Sequence, residues 1–216
     1  MNLSKEKPCF RYLILFLLLS CGSFAGAQVG KVQVEPWEER LNKQHKPVHL
    51  MDAMGLDKGM VIADIGAGRG RMTVFFARRV GNKGMVLAND INSGALIYLE
   101  DRCKRNDIGN VKTFLGTVTD PRLPEGKADI LFMVSTYHHL DKPVELMRNA
   151  LQALKADGRL IIVERDPEKT GQTSSESTSS AVIIRQMTEA GYVHMNTDTT
   201  LLDRDNIYYF RICSLF

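Results

Sequence analysis

Cysteine is scarce in this 216-residue chain: there are four, and Cys9 and Cys21 fall within the first 27 residues. No C-x-x-C and no grouping of cysteine with histidine occurs, so the usual metal and dithiol signatures are missing and no metal site is expected. Cys103 and Cys213 read as two buried free thiols, with a disulfide as the alternative in an oxidising compartment. A strong charge of one sign is also missing. The formal net charge is +3, and residues 1–27 hold +2 of it through Lys5, Lys7 and Arg11 against Glu6. No basic patch remains, so nucleic acid is not an expected partner. There is no internal repeat. With 44% apolar and 25% charged residues, the composition is that of one globular domain with a short appendage.

The chain also lacks an apolar run long enough to cross a membrane, which takes about 20 residues. The strictly apolar stretch Tyr12–Leu19 is much shorter. Basic residues precede it, and small residues follow, ending in Ala25-Gly-Ala27. This is the order of a secretory signal peptide, with the mature chain beginning at Gln28 and an exported, periplasmic location. Leu18-Leu-Ser-Cys21 approximates a lipoprotein signal, so a membrane tether through a lipidated Cys21 is one alternative, and an uncleaved anchor or a wrong start codon is the other.

A further absence is informative at Val61-Ile-Ala-Asp-Ile-Gly-Ala-Gly-Arg-Gly70. The stretch reads as a buried strand, a tight glycine turn and a helix start, as in nucleotide-binding turns. The dinucleotide fingerprint G-x-G-x-x-G would need a glycine at 71, where the chain has Arg71. Instead, Asp64 stands two residues before the first of Gly66, Gly68 and Gly70, placed to meet a cationic group. Asp90 ends the next strand, placed to accept both hydroxyls of a ribose. A ribose, a cationic tail and no pyrophosphate describe S-adenosylmethionine as the cofactor.

From Met60 onward, strands and helices alternate. Strands are expected at Met60–Ile65, Met85–Asp90, Val111–Leu115, Ala128–Val134 and Arg159–Val163, and the fourth is continuously apolar, as at the centre of a parallel sheet. Helices are expected from about Arg71 to Val80, from Ser93 with Leu96, Leu99 and Cys103 inward, from Pro143 with a stripe ending at Leu154, and over Ile183–Ala190. Asp157-Gly158 reads as a turn, and the Ser/Thr-rich stretch from Lys169 to Ser180 as a polar loop. Tyr192–Thr197 and Ile207–Cys213 read as closing antiparallel strands. The fold class is α/β: a doubly wound, mostly parallel seven-stranded sheet with helices on both faces. Ahead of it, Glu35-Pro-Trp-Glu-Glu-Arg40 and Val48–Met54 predict short helices. The domains are thus a leader at 1–27, a helical cap at 28–59 and an α/β domain at 60–216.

Between Val61 and Glu164 the chain resembles the class I S-adenosylmethionine-dependent methyltransferases of the seven-stranded type, in the broad group that includes the ubiquinone/menaquinone-biosynthesis enzymes. The resemblance is carried by Asp64-Ile-Gly-Ala-Gly-Arg-Gly70, Asp90-Ile91, Lys127–Val134, Tyr137-His-His-Leu140 and Leu154-Lys-Ala-Asp-Gly-Arg-Leu-Ile-Ile-Val163. It implies methyl transfer to a small molecule, with Asp64, Gly66, Ala67, Gly68, Gly70, Asp90, Ile91, Thr117 and Val118 around the cofactor. Where the family often has an adenine-binding acid, this chain has Thr117 and Val118 after Gly116. His138 or His139 could serve as general base, with helix capping or pocket lining as the alternative. Tyr137, Trp37 and Arg40 are candidates for the acceptor's wall. Two further readings are a different nucleotide-binding enzyme, against which Arg71 argues, and an exported methyltransferase-like binding protein without catalysis.

Overall fold

The computed structural model describes residues 32–171, 175 and 177–213. The leader expected at 1–27, and Cys21 within it, lie outside these residues. A 3₁₀ turn at Pro36–Glu38 leads into α1 (Glu39–His45) and α2 (Pro47–Ala53). The alternating part follows: β1 (Val61–Ile65), α3 (Thr73–Val80), β2 (Met85–Asp90), α4 (Ser93–Arg105), β3 (Val111–Leu115) and β4 (Ala128–Val134). A 3₁₀ turn at Tyr137–His139 precedes α5 (Pro143–Leu151), β5 (Leu154–Arg165), α6 (Pro167–Thr170), α7 (Ser180–Glu189), β6 (Tyr192–Asp198) and β7 (Asp205–Ile212).

The seven strands form one sheet in the order β3-β2-β1-β4-β5-β7-β6. β1 to β5 are parallel, and β7 runs antiparallel to both β5 and β6. The chain winds outward from β1 to β3, then restarts beside β1 with β4. The crevice where ligands bind in such sheets therefore opens at the C-terminal ends of β1 and β4.

Successive side chains of the apolar strand β4 feed two cores. Ile130 and Phe132 pack with Leu50, Met51, Phe76 and Ile161 beneath α2 and α3. Leu131 and Met133 pack with Met147, Ile162, Ile183 and Met187 beneath α5 and α7. All are fully buried, which is why the strand carries no polar alternation. A third cluster, Ala88 with Leu96, Leu99 and Cys103, seats α4.

Several boundaries differ from the sequence expectation. α5 stops at Leu151, and Leu154 opens β5 rather than closing the helix stripe. Asp157-Gly158 lies inside β5, where the pairing with β4 shifts register between Ala128 and Ile130. α3 begins at Thr73, and α6 occupies the start of the stretch expected to be loop. Cys103 is a buried free thiol pushed up to about 11 by burial. Cys213, expected to be buried, is exposed and free.

The segment before β1 is fastened by a buried ion pair. Arg102 on α4 donates through both guanidinium nitrogens to Glu38, at 2.5 and 2.8 Å, and both side chains are 0% exposed. Arg102 also donates to the carbonyl of Gln33 at 3.1 Å. Removing one partner of such a pair strands the other charge, at a cost of about 3–5 kcal/mol. Urea unfolding of Arg102→Met should show a loss of that size, and adding Glu38→Gln should recover a large part of it. An Arg102→Met protein as stable as the wild type would mean the pair does not hold the segment.

Candidate functional site

The turn after β1 is built backbone first. Gly66 and Ala67 both donate their N–H groups to the carbonyl of Asn89 at 2.9 Å, tying the turn to the end of β2. Gly66, Gly68 and Gly70 have φ of +74°, +55° and +81°, which side-chain-bearing residues rarely adopt. Their surroundings differ. A Cβ on Gly66 would lie 2.3 Å from Thr136 Cγ2, and one on Gly70 2.2 Å from Leu99 Cδ1. A Cβ on Gly68 would meet nothing within 4 Å. Gly66 thus permits close approach to the loop after β4. Gly70 seats α4 and lines neither of the cavities described below. Gly68 faces open space.

The two acids sit on either side of this turn. Asp90 accepts from the N–H of Gly68 at 2.8 Å and from that of Asn92 at 2.9 Å, which fixes its carboxylate plane. Asp64 is 2% exposed and accepts the Thr73 hydroxyl at 2.6 Å. Burial pushes its carboxyl up to about 6, despite Thr73 and the nearby Arg71. Asn89, buried beside them, donates to the carbonyls of Phe114 and Pro121 and so holds the loop carrying Thr117 and Val118.

Two cavities flank the turn and share Gly66, Ser135 and Thr136. The first, about 290 Å³, is lined by Asn89, Asp90, Ile91, Thr117, Val118, His139 and Leu140 among others. The second, about 210 Å³, is lined by Trp37, Leu41, His45, Asp64, Ala67, Gly68, Arg69 and Arg71 among others. The cleft thus has one end with an acid and exposed apolar side chains (Ile91, Val118) and another with a buried acid beside a buried cation.

The segment Tyr137-His-His139 sends its three side chains in different directions. His139 lines the first cavity. Tyr137, expected at the acceptor's wall, is instead in the core at 3% exposure, and its hydroxyl donates to Gln186 at 2.6 Å. His138 lines neither cavity; its Nδ1 lies 2.7 Å from Glu164 Oε1. Glu164 is 0% exposed, burial pushes it up to about 7, and its Oε2 has no hydrogen-bond partner among the described residues. Arg40, also expected at the acceptor's wall, is exposed on α1 away from both cavities. Trp37 lines the second.

Sequence reasoning missed His45, Arg71 as a site residue, and Ser135. Arg71 donates to His45 Nδ1 at 2.9 Å and to Asn42 Oδ1 at 3.1 Å, joining the turn to α1. A guanidinium can only donate, so a neutral His45 carries its proton on Nε2. That nitrogen faces Ser135 Oγ at 3.4 Å and Asp205 Oδ2 at 3.7 Å. Burial lowers the His45 pKa, so the neutral form prevails. Ser135 has φ +48°, a strained conformation for a residue with a side chain, at the junction of the two cavities. No local pattern announces any of the three. The one available signal was the departure from G-x-G-x-x-G at Arg71.

The residues fit S-adenosylmethionine. Asp90 suits a ribose, the space in front of Gly68 admits a ligand against the backbone, and the buried Asp64 suits a cationic amino group. Comparisons with known proteins agree. Residues 62–158 match the family described as a methyltransferase domain. A ubiquinone/menaquinone biosynthesis C-methyltransferase of Idiomarina loihiensis is 30% identical over 117 residues, 54% of this chain and 47% of that protein. The chain thus matches about half the length of this curated relative. A S-adenosylmethionine-dependent methyltransferase from Aquifex aeolicus has the same fold, with a TM-score of 0.74 at 22% identity over 82% of this chain and 94% of that one. The geranyl diphosphate C-methyltransferase of Streptomyces coelicolor A3(2), solved with Mg2+, geranyl diphosphate and S-adenosyl-L-homocysteine, superposes with a TM-score of 0.65 at 15% identity, covering 85% and 86%. Residues 62–158 are thus similar to the methyltransferase-domain family, and the chain shares the fold of S-adenosylmethionine-dependent methyltransferases.

The state of Asp64 sets a pH dependence. The unfolded chain releases this proton near pH 3.8, while the folded chain keeps it to about 6. The Asp64 contribution therefore favours folding below pH 4, falls as pH rises to 6 and is flat above. That difference corresponds to about 3 kcal/mol. Unfolding of Asp64→Asn and wild type at pH 4 and pH 7 should show the variant gaining relative stability by about 2–3 kcal/mol. A constant difference between the two would show that Asp64 is not desolvated.

Proposed function

We propose that this protein transfers a methyl group from S-adenosylmethionine to a small-molecule acceptor. The observation that carries the reading is the pair of cavities that share Gly66, Ser135 and Thr136, with Asp90 lining one and the buried Asp64 lining the other. The bound cofactor supplies an activated methyl group and its own leaving group. The protein's work is then mainly to position the acceptor, which contributes several kcal/mol.

Each residue has a role in that reading. Asp90, held by Gly68 and Asn92, accepts the ribose hydroxyls. Ile91 and Val118 offer apolar surface for a base. Asp64 faces the amino group, and Arg71 lies in the same cavity for the carboxylate. His139 is the histidine placed to take a proton from an acceptor, a contribution of about 10²–10⁴-fold where the nucleophile carries one. His138 and Glu164 hold a proton between Nδ1 and Oε1 behind it, with the two imidazole rings 4.0 Å apart.

Calorimetric titration with S-adenosylhomocysteine tests the cofactor assignment. The wild type should bind it and should not bind NAD. Asp90→Ala removes two hydrogen bonds to a charged group, each worth about 1.5–3 kcal/mol, and should weaken binding at least about tenfold. Gly68→Val should abolish binding in a folded protein, because its side chain enters open space in front of the turn. Gly66 is the poorer test, since a side chain there overlaps Thr136. Unchanged affinity in both variants would place the ligand elsewhere.

Export is part of the proposal and rests on the order of residues in 1–27. The mature protein then begins at Gln28, or at a lipidated Cys21, outside the cytoplasm. N-terminal sequencing of the native protein should find one of these. An intact Met1 in the cytoplasmic fraction would refute it.

A further inference from the structure

We infer that the acceptor is a planar anion, such as an aromatic carboxylate, held between Arg69 and Trp37 at the rim of the second cavity. The inference rests on the methyltransferase reading and gives its acceptor a chemical class.

Two cations line that cavity, and they differ in state. Arg71 is buried and fixed by Asn42 and His45. It stands deep in the cavity beside Asp64, where an amino acid end carries both charges. Arg69 is exposed, and among the described residues it has no carboxylate partner. Its guanidinium lies over the Tyr98 ring, 5.3 Å from the centroid. Glu35, the acid bonded to Tyr98, is engaged otherwise: it accepts from the Tyr98 hydroxyl at 3.2 Å and pairs with Arg105 at 3.7 Å. Arg69 is therefore an exposed guanidinium without a carboxylate partner among the described residues, and a planar carboxylate matches its fork with two parallel hydrogen bonds.

The opposite part of the rim selects for shape. Trp37 is 45% exposed at the cavity mouth, with Leu41 and Met72 in the lining behind it. An exposed aromatic side chain and an exposed guanidinium that line the same cavity suit a flat ligand that stacks and carries negative charge. A cationic acceptor would be repelled by Arg69, and a neutral one would gain no charge-assisted hydrogen bond from it.

Trp37 is the single tryptophan of the chain, so intrinsic fluorescence reads this site directly. The test uses the full chain saturated with S-adenosylhomocysteine and three probes: benzoate, the neutral isostere benzamide and benzylammonium. Benzoate should quench Trp37 saturably, with benzamide at least about tenfold weaker and benzylammonium without effect. Arg69→Gln should weaken benzoate about tenfold and leave benzamide and S-adenosylhomocysteine within about twofold. Lys43→Gln removes the same charge from an exposed site on α1 and should leave benzoate unchanged. Equal binding of benzamide and benzoate, no saturable quenching by benzoate, or an Arg69→Gln protein that binds benzoate normally would each overturn the inference. A large loss of S-adenosylhomocysteine affinity in Arg69→Gln would also overturn it, by assigning Arg69 to the cofactor. Failure of the wild type to bind S-adenosylhomocysteine would instead remove the methyltransferase reading beneath it.

Discussion

The geometry of the cleft depends on one buried contact, the two-pronged pairing of Arg102 with Glu38. Desolvating two charges is costly, and the pair recovers that cost only with complete hydrogen bonding. Here the carboxylate meets both terminal guanidinium nitrogens and the guanidinium also binds the carbonyl of Gln33, which leaves Nε as its one buried nitrogen without a partner among the described residues. The contact fixes the turn at Pro36–Glu38 against α4, and so decides where Trp37 and α1 lie over the glycine turn. Arg71 then repeats the fastening one step further in, reaching from the turn to Asn42 and His45. The helices before β1 thus complete the second cavity.

The alternating pattern and the glycine turn were legible in the sequence because both are local. Buried strands announce themselves as apolar runs, and a turn that needs positive φ announces itself through glycine. The partners of the cleft were not legible, because they are distant in sequence: Arg102 with Glu38, His45 with Asp205, His138 with Glu164. The boundary at Leu154 was misread for a different reason. An apolar residue one helical turn after Leu151 fits the helix stripe and the next strand equally well. The register shift against β4 then lets Asp157-Gly158, a turn by composition, remain within β5.

The misplacement of Tyr137 has its own cause. A 3₁₀ turn has three residues per turn, so three consecutive side chains point in three directions. Tyr137 goes to the core, His138 to Glu164 and His139 to the cavity. Sequence identifies the segment but carries no phase for so short a turn. The phase comes from Ser135, whose left-handed backbone redirects the chain as it leaves β4. A strained residue without glycine's signature is invisible to pattern reading, and here it lies just ahead of the turn that brings His139 to the first cavity.

Three buried carboxylates near the cleft show how donors, rather than burial alone, set the state of an acid. Burial pushes Asp205 upward as it does the others, but hydrogen bonds from His45 and Gln44 outweigh it and hold the group below the usual range. Asp64 has the Thr73 hydroxyl and a nearby guanidinium, and burial wins. Glu164 accepts from backbone N–H groups, that of Arg165 first, and burial wins again. Asp205 therefore serves as a settled anchor for α1. Asp64 is left under-compensated at the position where a cationic ligand group would enter, and such a group would lower its pKa and release its proton. Part of the desolvation cost of Asp64 would thus be offset by a cationic ligand group, which couples affinity at this position to the charge of what binds.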